Sequence, residues 1–229
     1  MPDMDELIVT SDGSMSIRSR RFGETYHSHH GAITESMLVF IENGLKAVPA
    51  GLSECFIFEM GFGTGFNALL SCLYKDNLKI VYETVEKYPL DSAMWESFAR
   101  SQWPEKTPER FLFEEIHRAP WNQMIQLSEG FSICKQKADL LEISLPASHY
   151  HLVFFDAFSM DAQPELWNEK VFSQLFTSMR PGGILVTYSS RGEVKRNLRA
   201  AGFMLERLAG PPGKRHMLRA TKPFIKETI

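Results

Sequence analysis

Three alternating glycines, Gly61, Gly63 and Gly65, form the part of this sequence best suited to hold a ligand. They follow a short apolar segment that ends at Glu59, and helix-forming residues begin at Asn67. Glycine at such a strand-to-helix junction lets the backbone approach a ligand closely, and the new helix offers free N–H groups. The spacing is G-x-G-x-G. It departs from the dinucleotide pattern G-x-G-x-x-G, whose third glycine would fall on a phenylalanine here.

A second acidic residue, Glu86, ends the next apolar segment, 79–85. A carboxylate at that strand tip can accept hydrogen bonds from both hydroxyls of a ribose. A solvated strand-end residue is the alternative, but the preceding glycines favour the ribose interpretation. The G-x-G-x-G turn preceded by Glu59 resembles the first motif of S-adenosylmethionine-dependent methyltransferases, and that resemblance implies S-adenosylmethionine as the cofactor.

Two aspartates also follow predicted strands. Asp156 ends the apolar segment 151–156, where a carboxylate can lie near a methyl donor and an incoming nucleophile. An amine nucleophile must be neutral to attack, and the positive charge that develops on it favours a nearby carboxylate, so Asp156 either takes the proton or positions the amine. Asp139 follows the weaker strand 132–136 and could accept a hydrogen bond from an adenine amino group. Capping of a helix or turn is the alternative role for both aspartates.

Histidines and aromatic residues supply further candidates. His27, His29 and His30 cluster in a polar loop, but no acidic or cysteine ligand accompanies them at a recognised spacing, so we predict no metal site. Phe158 and Trp167 could stack on a nucleobase or belong to the core, and the sequence favours neither.

The charge of the chain is unevenly distributed. Residues 1–190 carry 15 Lys and Arg against 25 Asp and Glu, whereas residues 191–229 carry 10 against 3. A basic segment on an acidic body indicates either a polyanionic partner, for which tRNA is the candidate, or a solvated helix face. The candidate basic residues are Arg191, Lys195, Arg196, Arg199, Lys214, Arg215 and Arg219.

Composition indicates an ordinary globular protein of a reducing compartment. Hydrophobic residues make up 44% of the 229 residues and charged residues 23%, which is typical of a folded domain. Three cysteines lack C-x-x-C spacing, the N-terminus is acidic, and no apolar run reaches the length of a membrane span. We therefore expect a cytoplasmic protein without a signal peptide.

The elements that position these residues fall into two parts. Residues 1–50 predict an extension made of a hairpin around Asp12-Gly13 and a helix that begins near Ile33, with Gly44 as its C-cap. Residues 51–229 alternate strand and helix, which predicts one compact α/β unit with a mostly parallel, doubly wound sheet. The last two strands are joined by too few residues for a crossover helix, so they should form an antiparallel hairpin. The predicted elements of this part are strand 55–60, helix 66–74, strand 79–85, a helix near 90–100, strands 132–136 and 151–156, a helix near 168–179, strand 184–188, helix 192–201, and strands 203–208 and 215–220.

Motifs along nearly the whole chain together resemble one family, the tRNA 5-methylaminomethyl-2-thiouridine methyltransferases. This activity is the methyltransferase half of the bifunctional bacterial wobble-uridine enzyme. The combination is far more specific than any single motif. The motifs are Glu59-Met-Gly-Phe-Gly-Thr-Gly-Phe-Asn67, Val85-Glu-Lys-Tyr-Pro-Leu90, Phe155-Asp-Ala-Phe158, Pro164-Glu-Leu-Trp167, Arg180-Pro-Gly-Gly183 and Gly213-Lys-Arg-His-Met217, with Arg20-Arg-Phe-Gly-Glu-Thr-Tyr26 and Gly31-Ala-Ile-Thr-Glu-Ser36 near the N-terminus.

The resemblance implies a class I methyltransferase fold (Rossmann-like) and methylation of the 5-aminomethyl group of 2-thiouridine at tRNA wobble position 34. The three glycines, Glu59 and Asn67 would border the methionine part of S-adenosylmethionine. By the same resemblance, Glu86 would hold the ribose, Asp139 the adenine, and Asp156 would lie beside the methyl group.

Two departures from the family pattern affect these expectations. The bifunctional enzyme continues into a flavin-dependent domain, whereas this sequence ends at Ile229 without a second glycine motif. We therefore expect no flavin, and a separate enzyme that supplies the aminomethyl substrate. Ala157 stands where many relatives are expected to have glycine. Two other functions stay open: methyl or aminopropyl transfer to a small amine, and a non-catalytic module that keeps the cofactor fold.

Overall fold

The computed structural model describes residues 5–224, which form an eight-stranded sheet with helices on both faces and a separate two-stranded hairpin. In this part of the chain, no helix is long and apolar enough to cross a membrane. The strands are β1 (Glu6–Val9), β2 (Met15–Arg18), β3 (Glu54–Met60), β4 (Lys79–Glu86), β5 (Met124–Ser128), β6 (Phe131–Lys137), β7 (Tyr150–Phe155), β8 (Met179–Thr187), β9 (Met204–Ala209) and β10 (His216–Thr221). The α-helices are α1 (Ala32–Ser36), α2 (Phe66–Leu73), α3 (Ser92–Gln102), α4 (Pro108–Arg118), α5 (Glu169–Ser178) and α6 (Gly192–Ala200); a π-helix spans Met37–Glu42, and 3₁₀ helices span Leu45–Ala47 and Pro164–Leu166.

The sheet has the order β5-β6-β4-β3-β7-β8-β10-β9. Strands β6, β4, β3, β7 and β8 are parallel, and β10 pairs antiparallel with both β8 and β9. This arrangement confirms the predicted α/β fold with a C-terminal antiparallel hairpin. The chain moves outward from β3 to β6 and then returns to β7 on the other side of β3. Ligands in such sheets bind beyond the carboxyl ends of the strands at this switch point.

The central strands are buried on both faces, because their side chains alternate between two hydrophobic clusters. On β3, Cys55 and Ile57 point into the cluster formed with α2, α3 and α4, whereas Phe58 and Met60 point into the cluster formed with α5 and α6. This continuous apolar pattern is typical of parallel strands covered by helices. Cys55 and Cys72 are buried free thiols, as their predicted core positions required.

The predicted N-terminal extension belongs to the same hydrophobic cluster as β3. Ile17 of β2, Ala32 of α1 and Phe40 of the π-helix are each at most 1% exposed within it. The β1–β2 hairpin turns at Asp12-Gly13 as predicted, with Gly13 at φ +81°. These residues therefore pack against the same face of the sheet as α2, α3 and α4.

One helix and one strand were missing from the sequence prediction. Helix α4 is capped by the Thr107 side chain, has proline at its first position, and buries Phe113 and Ile116. Strand β5 pairs antiparallel with β6 and forms the sheet edge, so the sheet has a second antiparallel margin. Its partly exposed side chains gave no continuous apolar pattern.

The predicted role of Gly44 was wrong. The helix ends through Asn43, and Gly44 has φ −109°, so it is not a left-handed C-cap. A Cβ atom at this position would lie 2.3 Å from the backbone oxygen of Phe40 and 2.9 Å from the ring of Phe154. Glycine is therefore required by close packing rather than by positive φ.

Candidate active site

A cavity of about 510 Å³ lies at the carboxyl ends of the central strands. Its floor is the glycine-rich turn, and its walls include Glu86 and Asp156. The predicted N-terminal extension contributes another wall through segment 22–29 and Glu35, and the loop before β10 contributes Lys214. The volume is that of an ordinary small-molecule site.

The glycine-rich turn is compact because its backbone occupies conformations and spaces that exclude side chains. Gly61 has φ +90°, and a Cβ atom there would lie 2.6 Å from the backbone oxygen of Asp156. Gly63 has φ +52° and faces the ring of Tyr26 at 3.0 Å from the same hypothetical position. Each position therefore favours glycine because its φ is positive and because a side chain there would meet a neighbouring atom.

Thr64, inside this turn, is held by two histidines that the sequence did not single out for this role. His27 Nε2 lies 3.2 Å from Thr64 Oγ1, and His117 Nε2 donates a 3.0 Å hydrogen bond to the Thr64 carbonyl. Burial lowers the pKa of His27 to about 4 and that of His117 to about 3, so both rings are neutral at pH 7. The turn is therefore fixed from two sides by neutral rings.

Glu86 ends β4 beside the turn, as predicted. Its carboxylate accepts hydrogen bonds from the backbone nitrogens of Gly63, at 3.2 Å, and Tyr88, at 2.8 Å. Burial raises the pKa of Glu86, and these bonds oppose the rise. The carboxylate faces the cavity and retains lone pairs, so its position suits the predicted ribose contact.

Asn67 joins two carboxyl groups, of which Glu59 is buried and Asp156 is partly buried. Its Nδ2 atom donates to Oε1 of Glu59 at 3.0 Å and to Oδ2 of Asp156 at 2.9 Å. Burial raises the pKa of Asp156, and the charge of Glu35 adds to this effect. Burial also raises the pKa of Glu59, and the charge of Asp156 adds to it. The site thus holds two carboxyl groups that take up protons more readily than ordinary ones.

Several polar atoms next to this pair have no hydrogen-bond partner among residues 5–224. They are Oε2 of Glu59, Oδ1 of Asn67 and the hydroxyls of Tyr82 and Thr84. No hydrogen bond of good geometry joins them, but the hydroxyls of Tyr82 and Thr84 lie close enough to the Glu59 carboxyl to oppose the rise of its pKa. Only Asn67 of these four residues also lines the cavity, and its Oδ1 atom is itself buried.

A second charged group lies across the cavity. Glu35, on α1, accepts a 2.8 Å hydrogen bond from the backbone nitrogen of Ser28 and forms an ion pair with Lys214. The Lys214 Nζ atom also lies 3.8 Å from the centre of the Tyr188 ring. The Tyr188 hydroxyl in turn donates to the backbone oxygen of Ala157 at 2.9 Å. This group contains Lys214, which the sequence had assigned to the basic face.

Aromatic side chains from two distant segments form one wall. The rings of Phe22 and Phe158 stack at 4.4 Å between centroids, and Tyr26 meets Phe158 edge-on at 4.9 Å. Trp167 instead belongs to the core, where it is 1% exposed and its Nε1 donates to the backbone oxygen of Phe158 at 2.8 Å. Of the two aromatic candidates, therefore, only Phe158 reaches the cavity.

Asp139 lies beyond the residues that line the cavity. Its carboxylate forms a 2.6 Å ion pair with Lys87, which does line the cavity, and accepts a hydrogen bond from the backbone nitrogen of Leu141. Burial favours the neutral acid, but the hydrogen bonds from Lys87 and Leu141, with the charge of Lys87, together outweigh it and lower the pKa of Asp139. Asp139 therefore caps a turn, and its predicted contact with adenine stays a prediction.

The loop histidines are separated in space. His27 is buried against Ser16 and Thr64, whereas His29 and His30 are exposed. Within residues 5–224, no group of three or more His, Cys, Asp and Glu side chains is arranged to hold a metal ion.

The candidate basic residues divide into two groups. Arg191 pairs with Asp161 and Arg219 pairs with Glu206, while Lys214 points into the cavity. The other four form no ion pair with any residue that the structure describes, and three of them are exposed. These four are Lys195, Arg196, Arg199 and Arg215.

The cavity fits S-adenosylmethionine, a nucleoside with a positively charged sulfur. Glu86 suits the ribose, and Asn67 lines the cavity beside the glycine-rich turn. Gly61 and Gly63 leave the backbone of the turn bare toward this region.

Residues 101–223 match the profile of a family described as S-adenosyl-L-methionine-dependent methyltransferase. The tRNA 5-methylaminomethyl-2-thiouridine biosynthesis bifunctional protein MnmC of Ectopseudomonas mendocina is 33% identical over 228 residues, which cover 91% of this chain and 33% of that protein. The corresponding protein of Nitrosospira multiformis is 31% identical over 220 residues, which cover 90% of this chain and 35% of that protein. The chain thus spans about a third of the length of the curated relatives it matches.

The crystal structure of MnmC2 from Aquifex aeolicus superposes with a TM-score of 0.75 at 25% identity, covering 99% of this chain and 74% of that one. The methyltransferase SibL, at 15% identity and a TM-score of 0.51, shows the same fold. These similarities confirm the family resemblance that the sequence motifs indicated.

Proposed function

Because the chain belongs to the S-adenosyl-L-methionine-dependent methyltransferases, we propose that it methylates the amino nitrogen of 5-aminomethyl-2-thiouridine at the wobble position of tRNA. The names of its relatives support the choice of substrate, since they describe biosynthesis of the methylaminomethyl product. The MnmC2 likeness over nearly the whole chain supports it further.

The observation that carries the proposal is the position of Asp156. It follows β7 at the switch point, lines the cavity with the glycine-rich turn, and is held by Asn67. An aminomethyl group is mainly a cation at neutral pH and must lose a proton before its lone pair can form a bond. A carboxylate whose pKa is raised to about 7 accepts that proton more readily than an ordinary aspartate does.

The chain's own residues have separable roles under this proposal. The glycine-rich turn, Glu86 and Asn67 hold S-adenosylmethionine, which when bound supplies a methyl group on a positively charged sulfur. Asp156 positions the amine and takes its proton. Phe158, stacked on Phe22, forms an aromatic surface that suits the uracil ring.

The tRNA would be bound by the exposed part of the basic segment. Lys195, Arg196, Arg199 and Arg215 form no ion pair with described residues, so their charges are available to phosphates. Arg191 and Arg219 would first have to leave their acidic partners.

The direct experiment uses tRNA that carries the aminomethyl group and S-adenosylmethionine with a deuterated methyl group. Digestion to nucleosides and mass spectrometry should show one labelled methyl group on the wobble nucleoside. Matched tRNA with 2-thiouridine lacking the aminomethyl group should remain unlabelled. The acidic cavity also suits a small cation, so spermidine is the comparison acceptor. Labelling of spermidine without labelling of tRNA would replace this proposal with small-amine transfer.

A further inference from the structure

A lysine ammonium occupies a cation site inside the candidate active site. Lys214 Nζ forms an ion pair with Glu35 and lies 3.8 Å from the centre of the Tyr188 ring. A carboxylate beside an aromatic face is an arrangement that binds alkylammonium groups. The protein thus presents a site for such a group and fills it with its own side chain.

Glu35 is built into this site, whereas Lys214 is more accessible. The Glu35 side chain is 7% exposed and its other oxygen accepts the Ser28 backbone hydrogen bond, so its position is fixed. The Lys214 side chain is 32% exposed and ends a long flexible stem. A buried carboxylate requires a positive partner, but any ammonium of suitable size can supply it.

The cation site adjoins Asp156. All four residues, Glu35, Lys214, Tyr188 and Asp156, line the same cavity. Tyr188 donates a hydrogen bond to the backbone of Ala157, the residue after Asp156. A cation held by Glu35 and Tyr188 would therefore lie near the carboxylate that can take its proton.

We propose that Glu35 and the ring of Tyr188 recognise the ammonium form of the substrate's aminomethyl group, and that Lys214 holds this site until the substrate displaces it. The inference rests on the proposed function, because it assigns the residues that select a cationic substrate.

The displacement can be observed directly with methylammonium, the simplest mimic of an aminomethyl group. A ring current from Tyr188 should shift the Lys214 ε-CH₂ protons upfield in the NMR spectrum of ¹³C-lysine-labelled protein. Addition of methylammonium chloride should move this signal toward the position of a free lysine, and sodium chloride at equal ionic strength should not. Lys170, an exposed residue of α5, is the internal control.

Kinetics on aminomethyl-bearing tRNA test the same inference in the reaction. Lys214→Met should lower KM for the tRNA, because the substrate ammonium no longer has to displace Lys214. We expect a decrease on the order of tenfold. Lys170→Met, which also removes one positive charge, should leave KM unchanged. Glu35→Gln should raise KM at least as strongly as Lys214→Met lowers it, with cofactor affinity retained.

The outcomes separate this inference from the proposed function. Absence of tRNA methylation by the parent protein would refute the proposed function, while the methylammonium titration would still test the cation site. A Lys214 signal that does not respond to methylammonium, or a Lys214→Met variant whose KM for tRNA rises, would overturn the inference. A raised KM in the Lys214→Met variant would instead indicate that Lys214 contacts tRNA directly.

Discussion

The side-chain amide of Asn67, in the first turn of α2, donates a 2.9 Å hydrogen bond to the carboxylate of Asp156 at the end of β7. This bond connects the helix that follows the glycine-rich turn to the strand on the other side of the switch point. The same nitrogen reaches Glu59 at 3.0 Å. The group that can act on the substrate and the turn that can hold the cofactor therefore form one connected unit.

Asp156→Asn should slow methyl transfer strongly. The change keeps size and some hydrogen bonding but removes the negative charge that stabilises the developing cation. The single-turnover rate should fall about a hundredfold, or about 3 kcal/mol, while calorimetry shows retained S-adenosylmethionine affinity. Asp76→Asn, at an exposed turn, is the matched control. A folded Asp156→Asn variant with the parent rate would show that Asp156 is only structural.

The rate should also depend on pH through Asp156. Burial, with the charge of Glu35, raises the pKa of this carboxyl to about 7, so protonation removes the proton acceptor as pH falls through that value. Single-turnover rates between pH 5.5 and 9 should fall roughly tenfold per unit on the acidic side. A flat profile over the same range would contradict proton transfer to Asp156.

Glu59 should make the protein less stable as pH rises. Its pKa is raised from 4.5 to about 8, so the folded state retains a proton that the unfolded state has lost. This contribution is complete below pH 4.5 and disappears as pH rises through 8. Glu59→Gln should remove that slope and exceed the parent's free energy of unfolding at pH 9 by more than about 1.4 kcal/mol, the value of one pKa unit. Urea titrations at pH 5 and pH 9 measure the difference, and equal slopes for both proteins would refute it.

Gly63→Ala should weaken cofactor binding more than it destabilises the fold. The new methyl group would face Tyr26 at 3.0 Å, and any shift moves the backbone N–H that Glu86 accepts. Gly51→Ala is the matched control, because Gly51 also has positive φ but nothing lies within 4 Å of its Cβ position. Both variants should lose about 1 kcal/mol of stability from backbone strain. Equal S-adenosylmethionine affinity in the Gly63→Ala and Gly51→Ala variants would show that the turn is not part of the cofactor-binding site.

Charge reversal on α6 should weaken tRNA binding without affecting the cofactor. Lys195→Glu with Arg196→Glu should raise KM for tRNA roughly tenfold at low salt, and the difference should shrink as salt increases. Lys170→Glu on α5 controls for a general change in net charge. The basic segment would lose its assigned role if the double variant and the control behave alike.

Much of the fold could be predicted because its patterns are local. The apolar runs that end at Glu59 and Asp156 predicted two central strands, and the glycines after the first placed the ligand turn. The β5 strand could not be recognised this way, because an edge strand with partly exposed side chains has no regular pattern. Helix α4 had a usable signal in Thr107-Pro108, but Phe111 on its exposed face obscured the apolar periodicity.

The site was less predictable because its contacts join residues far apart in sequence. Glu35 and Lys214 are separated by 179 positions, and only the fold brings them together. The charge distribution along the sequence placed Lys214 in the same basic segment as Arg215. In the structure Lys214 lines the cavity, whereas Arg215 is exposed. His27 was weighed as a metal ligand from its position beside two other histidines, whereas its ring is buried against Thr64.

The strand order at the C-terminal edge sets the sequence in which a newly made chain can assemble. Strand β9 emerges from the ribosome before β10, yet within residues 5–224 it pairs only with β10, and β10 is the strand that joins the hairpin to β8. Strand β9 therefore cannot join the sheet when it is synthesised, and β8 keeps an open edge until both strands dock together. Because the loop between them carries Lys214, a nascent chain cannot complete the cavity wall until the last strand of the sheet has been made.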